Sequence, residues 1–433
     1  MIILREKFIK STIILIIGGF LTKILGMFIR IVTTRTIGIE GMSLYMLIFP
    51  TFSLFMSLSQ ISLPTAISKL VSEEKYNNKN IVFTSIPFLL AVNFFLIILL
   101  IFISKPIAIY LLHDERCYIP ILSIALVLPF DSLSNMLRGY FFGKQKMFPH
   151  VVSHIFEQLV RLTLNVLIIP NLIKINVIYA VTFLILVNII SEVLSIFILL
   201  IFLPRDFILK KEDIIPNKNN LKDILSISIP TTGARLTGNI SLFLEPVLLT
   251  FSLMQNNFSQ NYIQNEYAII SGYVLPILLL PGFFTNAISN ALLPNISKMY
   301  SDGNKKGIKK KLILAILLSL IIGVPLTIIF IIKPDFLLKL IYHTPLGSNY
   351  LKILAPFFLL YYIENPLASC LQAMNKSKNI MYDNLFGTIL KSLAIFILPY
   401  LNLGIYSLII GCILNVSIIT LKHYLTIKKE LSS

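Results

Sequence analysis

Lys23 and Arg30 lie inside an apolar run, GGFLTKILGMFIRIVTTRTIG from Gly18 to Gly38, that is long enough to cross a bilayer. They are seven residues apart, about two helical turns, so they share one helix face. A charge near mid-membrane costs at least ~2.5–3.5 kcal/mol on insertion scales and is kept where a bundle interior or a wet cavity receives it. The alternative, snorkelling to the headgroups, suits Arg35 at the end of the run better than Lys23. Similar residues recur along the chain. Asp131, Asn135 and Arg138 share a face, as do His154, Glu157, Gln158, Arg161 and Asn165, and Glu192, Arg235, Glu245, Glu364 and Lys391 stand in other apolar runs. Two uses are open. Glu157–Arg161 and Asp131–Arg138 can be internal ion pairs that fix helix packing, or the whole set can line a hydrated cavity between two halves of the protein. In the second reading Lys23, Arg30, Arg138, Arg161, Arg235 and Lys391 slightly outnumber the nearby acids. The arginine fork matches phosphate oxygens two at a time, so an anionic, phosphate-bearing ligand is expected. The candidate binding residues are Lys23, Arg30, Arg35, Arg138, Glu157, Arg161, Arg235 and Glu245.

Other chemistry has little support. The sequence shows no GxSxG, no phosphate loop and no paired metal-ligand motif, and its five histidines lack the HExxH spacing. An enzyme, a metal and a bound cofactor are therefore not expected; a coupling ion, H+ or Na+, stays open. Cys117, Cys370 and Cys412 are far apart and read as small apolar fillers. Gly139 and Gly143 in GYFFG form a small-xxx-small pattern that marks close helix packing. Lys305 to Lys311 form a basic loop of ordinary membrane-protein type, with contact to anionic lipid as the second reading.

The elements that must position these residues are membrane helices. Of the 433 residues 56% are hydrophobic and only 13% charged, with a mean hydropathy of +0.85. Apolar runs near twenty residues recur from end to end, as a polytopic helical membrane protein requires. The spacing predicts about twelve spans, near 11–34, 43–66, 82–103, 118–142, 151–172, 177–203, 223–253, 266–294, 309–332, 350–373, 380–400 and 403–425. The basic start MIILREKFIK resembles a signal peptide, but no small-residue cleavage site follows, so the first run reads as a transmembrane helix. The net charge of +17 is not read as nucleic-acid binding, because the bases sit between the spans. One alternating set of connections holds 24 of them and the other set 6. The positive-inside rule places the richer set, and both termini, in the cytoplasm of a multi-pass cell-membrane protein.

The segment 206–222 is the longest polar break. It reads as a cytoplasmic linker between an N-lobe, 1–205, and a C-lobe, 223–433, each of six helices. The lobes resemble each other. GGFLTKILGMFIRIV (18–32) aligns with GARLTGNISLFLEPV (233–247), placing Arg30 opposite Glu245. LPTAISKLVSE (63–73) aligns with LPNISKMYSD (293–302), and HIFEQLVR (154–161) with NLFGTILK (384–391), Arg161 opposite Lys391. Three matches in one order point to a parallel internal repeat.

LPTAISKLVSEE (63–74), LRGYFFGKQKMFPHVVSHIFEQLVRL (137–162) and YVLPILLLPGFFTNAISNALLPNISKMYSDGN (273–304) resemble the stage V sporulation protein B family of the multidrug/oligosaccharidyl-lipid/polysaccharide (MOP) exporter superfamily. The resemblance spans nearly the whole chain. It implies an all-α, V-shaped, MATE-like transporter of two pseudo-symmetric six-helix lobes working by alternating access. It implies as substrate a polyprenyl-pyrophosphate-linked saccharide, such as the lipid-linked peptidoglycan precursor for spore cortex, and cell-wall synthesis proteins as partners. Related peptidoglycan-precursor flippases use first-helix bases in an S-R-x-L-G…R…R pattern, which Thr22-Lys23-Ile24-Leu25-Gly26, Arg30 and Arg35 match with Lys for the first Arg and a one-residue shift. Many members have fourteen spans rather than twelve. The competing readings are a cation-coupled multidrug exporter of the same superfamily, which calls for cavity acids such as Glu245, Glu157 and Asp131, and a non-transporting membrane scaffold for cell-wall synthesis.

Overall fold

The computed structural model describes residues 2–73, 77–203 and 211–432, and within them every side chain but those of 2–13, 15, 16, 211 and 212. Residues 206–210 of the expected linker, and the basic side chains of Arg5, Lys7, Lys10, Lys75, Arg205, Lys210 and Lys211, lie outside what is described. Among the described residues the regular structure is entirely helical. Eleven helical segments there are long and apolar enough to cross a membrane. The difference from twelve lies at the beginning. The helix α1, Ile2–Gln60, runs through the polar TRTIGIEG stretch that separates the first two expected spans, and bends there at Gly38, with φ 64° and ψ −167°. That backbone is open to glycine and strained for other residues. A Cβ at Gly38 would meet nothing within 4 Å, so backbone conformation, not space, calls for glycine.

A second break follows at Ile61 and Ser62, with φ 43° and 48°. It turns the chain into the short amphipathic helix α2, Leu63–Ser72, which buries Leu63, Ala66, Ile67, Leu70 and Val71. They join Met136, Tyr140 and Phe141 of α4, Tyr118–Gly143, in one core. Between lie α3, Asn78–Pro106, and then come α5, Met147–Ile175, and α6, Val177–Ile201. The close approach of α2 to α4 depends on the two glycines of GYFFG. A Cβ on Gly139 would come within 2.5 Å of the Pro64 carbonyl oxygen, and one on Gly143 within 2.6 Å of that of Ser68.

A four-residue helix, α7, Lys211–Ile214, leads into α8, Lys218–Gln255, and α9, Gln260–Ala268. A π-helical stretch, Ile269–Val274, continues into α10, Leu275–Ser301. After it come α11, Lys305–Ile332, the short α12, Pro334–Tyr342, α13, Ser348–Ala373, α14, Ser377–Ile397, and α15, Tyr406–Ser432. Here Ile296 of the second aligned segment (293–302), and Leu292 just before it, pack with Leu367, Cys370 and Leu371 of α13. The repeated motif therefore builds a core of the same kind twice. Backbone packing divides the chain into two compact units, Met1–Phe243 and Leu244–Ser433. The early part of α8 belongs to the first, where Ile224 is fully buried in the core formed by α2 and α4.

Large apolar side chains cover much of the outside, such as Phe94, Phe95 and Phe102 on α3 and Ile321 and Ile332 on α11. A water-facing surface does not carry apolar patches on this scale, whereas lipid tails accept them. The three cysteines are buried and unpaired, as fillers should be.

Gly139→Ala drives a methyl group into the backbone of α2. It is expected to destabilise the protein by about 1–3 kcal/mol, the usual size of an overpacking effect, and to lower the melting temperature in detergent. Gly238→Ala, where a Cβ meets nothing within 4 Å, should melt no lower than the wild type.

Candidate functional site

The densest polar chemistry is inside the first unit, on α4, α5 and α6. Helical spacing puts Asp131, Asn135 and Arg138 on one stripe of α4, His154, Glu157, Arg161 and Asn165 on one stripe of α5, and Asn188, Ser191, Glu192 and Ser195 on one stripe of α6. The three stripes meet at Glu157. Arg138 Nη2 donates to Glu157 Oε2 at 2.6 Å and Arg161 Nη2 to Glu157 Oε1 at 2.6 Å. His154 Nδ1 lies 3.1 Å from Glu157 Oε2. Glu192 stands 3.4 Å from Arg138 and 3.9 Å from Arg161. Arg138 also donates to Ser195 Oγ at 2.6 Å and to Asn135 Oδ1 at 3.3 Å. Arg138, Glu157 and Glu192 have side chains only 4–5% exposed, whereas Arg161 is 21% exposed. Charges this deep persist only when paired and hydrogen-bonded.

The expected Glu157–Arg161 pair is therefore present, and the expected Asp131–Arg138 pair is not. Arg138 turns toward the acids of α5 and α6. Asp131 instead accepts from Gln60 Nε2 at 2.7 Å and from Asn135 Nδ2 at 3.0 Å. The same Gln60 accepts from Arg235 through its Oε1, at 3.3 and 3.4 Å. Its amide thus relays between a carboxylate on α4 and a guanidinium on α8.

Arg161 is the exposed edge of this network because it opens onto a cavity of about 350 Å³ within the first unit. Small-molecule pockets begin near this size, at roughly 300 Å³. Gly26, Ile29, Arg30, Thr33 and Thr34 of α1 form one wall, and Tyr45, Met46, Phe49 and Phe52, beyond the bend of the same helix, form another. Gln158, Arg161 and Asn165 of α5 and Leu184, Ile185 and Asn188 of α6 close it. The bend at Gly38 is what lets one helix supply two walls. Asn165 Nδ2 donates to Thr33 Oγ1 at 3.3 Å and ties the first wall to α5. Tyr45 lies within electrostatic reach of both Arg30 and Arg161. Among the lining residues two are cationic, three carry side-chain amides and none is acidic. Such a set can hold an anion at the guanidinium groups and hydrogen-bond neutral polar groups beside it.

Of the eight residues singled out from sequence, Arg30 and Arg161 meet at this cavity, while Arg138 and Glu157 form the buried network behind it. Lys23 and Arg35 are exposed and outside the lining. Lys23 is two turns too early on α1, and Arg35 is displaced about 140° around the helix from Arg30. Arg235 joins the network through Gln60. Glu245 is in the second unit, 2.5 Å from Lys391 Nζ. Sequence reading did not select Gln60, Tyr45, Asn188 or Ser195, nor Glu192 as a partner of Arg138. A polar stripe Asn188–Glu192–Ser195 in a span of mean hydropathy 2.7 was the signal for three of them. Gln60 and Tyr45 are brought in by the bend of α1, which no spacing rule foretells. Among the described residues no group of three or more His, Cys, Asp or Glu is arranged to hold a metal.

Comparison with known proteins bears on the same segments. Residues 8–300 match the family described as polysaccharide biosynthesis protein, and 268–397 match the MatE family. Stage V sporulation protein B of Bacillus subtilis (strain 168) is 33% identical over 99% of this chain and 85% of its own length. The lipid II flippase MurJ of the same organism is 24% identical over 90% of this chain and 76% of its own. Among solved structures, an inward-facing multidrug resistance MATE family transporter of the MOP superfamily superposes with a TM-score of 0.78 at 15% identity, covering 94% of each chain. Lipid II flippase MurJ in an inward closed conformation gives 0.71 at 16% identity, over 96% of this chain and 87% of that one. At these identities the superpositions show a shared fold.

Glu157→Gln leaves Arg138 and Arg161 without their common carboxylate. Breaking a buried pair from one side costs about 3–5 kcal/mol, so a large fall in melting temperature is expected. A second substitution, Arg138→Met, should recover a substantial part of the loss, because it removes the uncompensated buried charge. No recovery would mean that the network does not carry the stability assigned to it.

Proposed function

Because this chain belongs to the polysaccharide biosynthesis protein family of the MOP exporter superfamily, and is a multi-pass membrane transporter rather than an enzyme, we propose that it flips a polyprenyl-pyrophosphate-linked saccharide across the membrane by alternating access. One observation carries the reading most. The cavity of the first unit is lined by Arg30 and Arg161 together with three amide side chains and has no carboxylate in its lining. The guanidinium groups suit a pyrophosphate, Gln158, Asn165 and Asn188 suit sugar hydroxyls, and the polyprenyl tail stays in the bilayer. The spore-cortex precursor is the natural candidate, given the 33% identity to stage V sporulation protein B. Lys23, Arg35 and Arg235, outside the cavity, serve in this reading as approach and release contacts.

The physics of transport fits an anion. An inside-negative potential favours outward movement by about 2.3 kcal/mol per charge per 100 mV. The site must bind the substrate with similar affinity in its two states, since a strong preference for one would trap the cycle there. The proposed topology has lobes 1–205 and 223–433 joined by a cytoplasmic linker, with both termini inside, supported by the charge bias of the connections. A cation-coupled multidrug exporter is the weaker reading: of the acids it calls for, Glu157 and Glu245 are each bound to a cation, Asp131 is bound to amides, and none of them lines the cavity.

Native mass spectrometry of the purified protein should show selective binding of a polyprenyl-pyrophosphate-linked sugar over a neutral lipid. Arg30→Gln should lose that selectivity and should translocate little of the lipid-linked sugar in vesicles. Equal binding of both lipids by the wild type would overturn the reading in favour of the drug exporter.

A further inference from the structure

The lysines between Lys305 and Lys311, expected in a loop, are instead the first two turns of α11. Lys305, Lys306, Lys309, Lys310 and Lys311 are all exposed. Lys305 and Lys309 are one turn apart, as are Lys306 and Lys310, and like charges at that spacing repel. Nearby anions relieve that repulsion, yet the acids at this end of the second unit are engaged elsewhere. Glu430 of α15 is 2.9 Å from Lys376 Nζ and accepts from the Tyr300 hydroxyl at 2.8 Å, and Asp383 of α14 is 3.6 Å from Lys422 Nζ. Asp302, in the turn before α11, is exposed. Among the described residues no acid forms an ion pair with Lys306, Lys309, Lys310 or Lys311.

Lys306 and Lys310 head a stripe that continues through Leu314, Leu317, Ile321, Ile328 and Ile332, large apolar side chains that are all exposed. Steps of three, four and seven residues keep them on one helix face. Lipid tails accept such a face and water does not. From Ile313 to Ile332 the exposed apolar part of α11 runs about 29 Å at ~1.5 Å per residue, close to the ~30 Å hydrocarbon core of a bilayer. Lys333 stands at one end of that length, and Lys310 and Lys306 stand about one and two turns beyond the other, at the depth of the headgroups.

The first unit treats the equivalent helix differently. There α3 follows the aligned segment 63–73, and its start is covered. Asn80 Nδ2 donates to the Asp213 and Ile215 carbonyls at 3.2 and 2.9 Å, and Asn220 Nδ2 donates to Asn80 Oδ1 at 2.7 Å, so the chain leading into α8 lies across it. Where α3 has buried amides, α11 has exposed charge. The charge is of one kind, since every arginine of the chain lies in the first unit. Lysines are point charges on flexible stems rather than guanidinium forks. They suit a layer of headgroups better than a fixed site for free phosphate.

We infer that the start of α11 is a docking surface for anionic phospholipid, with headgroup phosphates at Lys306 and Lys310 and acyl chains along Leu314, Leu317 and Ile321. In the topology proposed above this is the cytoplasmic leaflet. The cavity of the first unit plays no part in it.

Native mass spectrometry of the full chain, offered phosphatidylglycerol and phosphatidylcholine with identical acyl chains in equal amounts, reads this surface. The wild type should retain the anionic lipid in preference, and added salt should erode the preference. Lys306→Gln combined with Lys310→Gln should reduce it about tenfold or more, given what each lysine contributes beside an anionic surface. Lys298→Gln combined with Lys305→Gln is the matched control. It removes the same charge, but Lys298 shares a face of α10 with the small residues Ala287, Ala291 and Pro294, and Lys305 is on the far side of α11, within electrostatic reach of Glu430. That variant should keep most of the preference, and Arg30→Gln should keep all of it. Equal retention of both lipids by the wild type, equal loss in the two double variants, loss in Arg30→Gln, or displacement of the anionic lipid by inorganic phosphate would each overturn the inference. Failure of a lipid-linked sugar to flip, with these lipid preferences intact, would instead count against the proposed function.

Discussion

Glu157 is where the first unit's helices are held to one another by charge. A carboxylate inside a bilayer-spanning bundle has no water to lean on, and its two oxygens must find donors within the protein. One takes Arg138 of α4 and the other Arg161 of its own helix, with Glu192 of α6 completing the set. Any slip in the register of these helices would separate charges that cannot be left alone at low dielectric. The same contacts aim Arg161 at the cavity, so the geometry that keeps the bundle together also presents the candidate site.

Packing and electrostatics follow different rules across the repeat. The two aligned segments, 63–73 and 293–302, sink apolar residues into similar cores, and the first gains its close approach to α4 from glycines that a methyl group would replace only with strain. Shape of this kind tolerates little variation, since interiors are packed to crystal density. Charges are less constrained, provided each finds a partner. In the first unit Glu157 meets both Arg138 and Arg161 beside a cavity lined by Arg161 and Arg30, while in the second Lys391 is met by Glu245 and Gly387 aligns with Glu157.

The proposed flipping of a bulky amphiphile calls for a polar site that is ordered before substrate arrives and a surface at ease in lipid. The buried network supplies the first by holding Arg161 through Glu157, and the amides beside it add hydrogen bonding without charge. The second comes from the exposed aromatic and aliphatic side chains of helices such as α3 and α11. The bend at Gly38 links the two, because it lets α1 both cross the apolar layer and fold two walls around the cavity.

Composition and hydropathy alone determined that this chain is a helical membrane protein, since apolar runs near twenty residues fit a spanning helix, whereas a barrel strand needs only about ten. The spacing of Glu157 and Arg161 foretold their ion pair, the glycines of GYFFG foretold a tight helix crossing, and the aligned segments foretold a duplicated core, because each depends on local periodicity. Partner choice across helices was decided only in three dimensions. Asp131 and Arg138 share a face of α4, yet the arginine turns to α5 and α6, where acids lie within reach, and the aspartate to Gln60 of α1. Lys23 and Arg30 share a face too, but the cavity spans only the turns near Arg30. The bend at Gly38 brought Tyr45 and Arg30 into the lining of one cavity, although no spacing rule connects them.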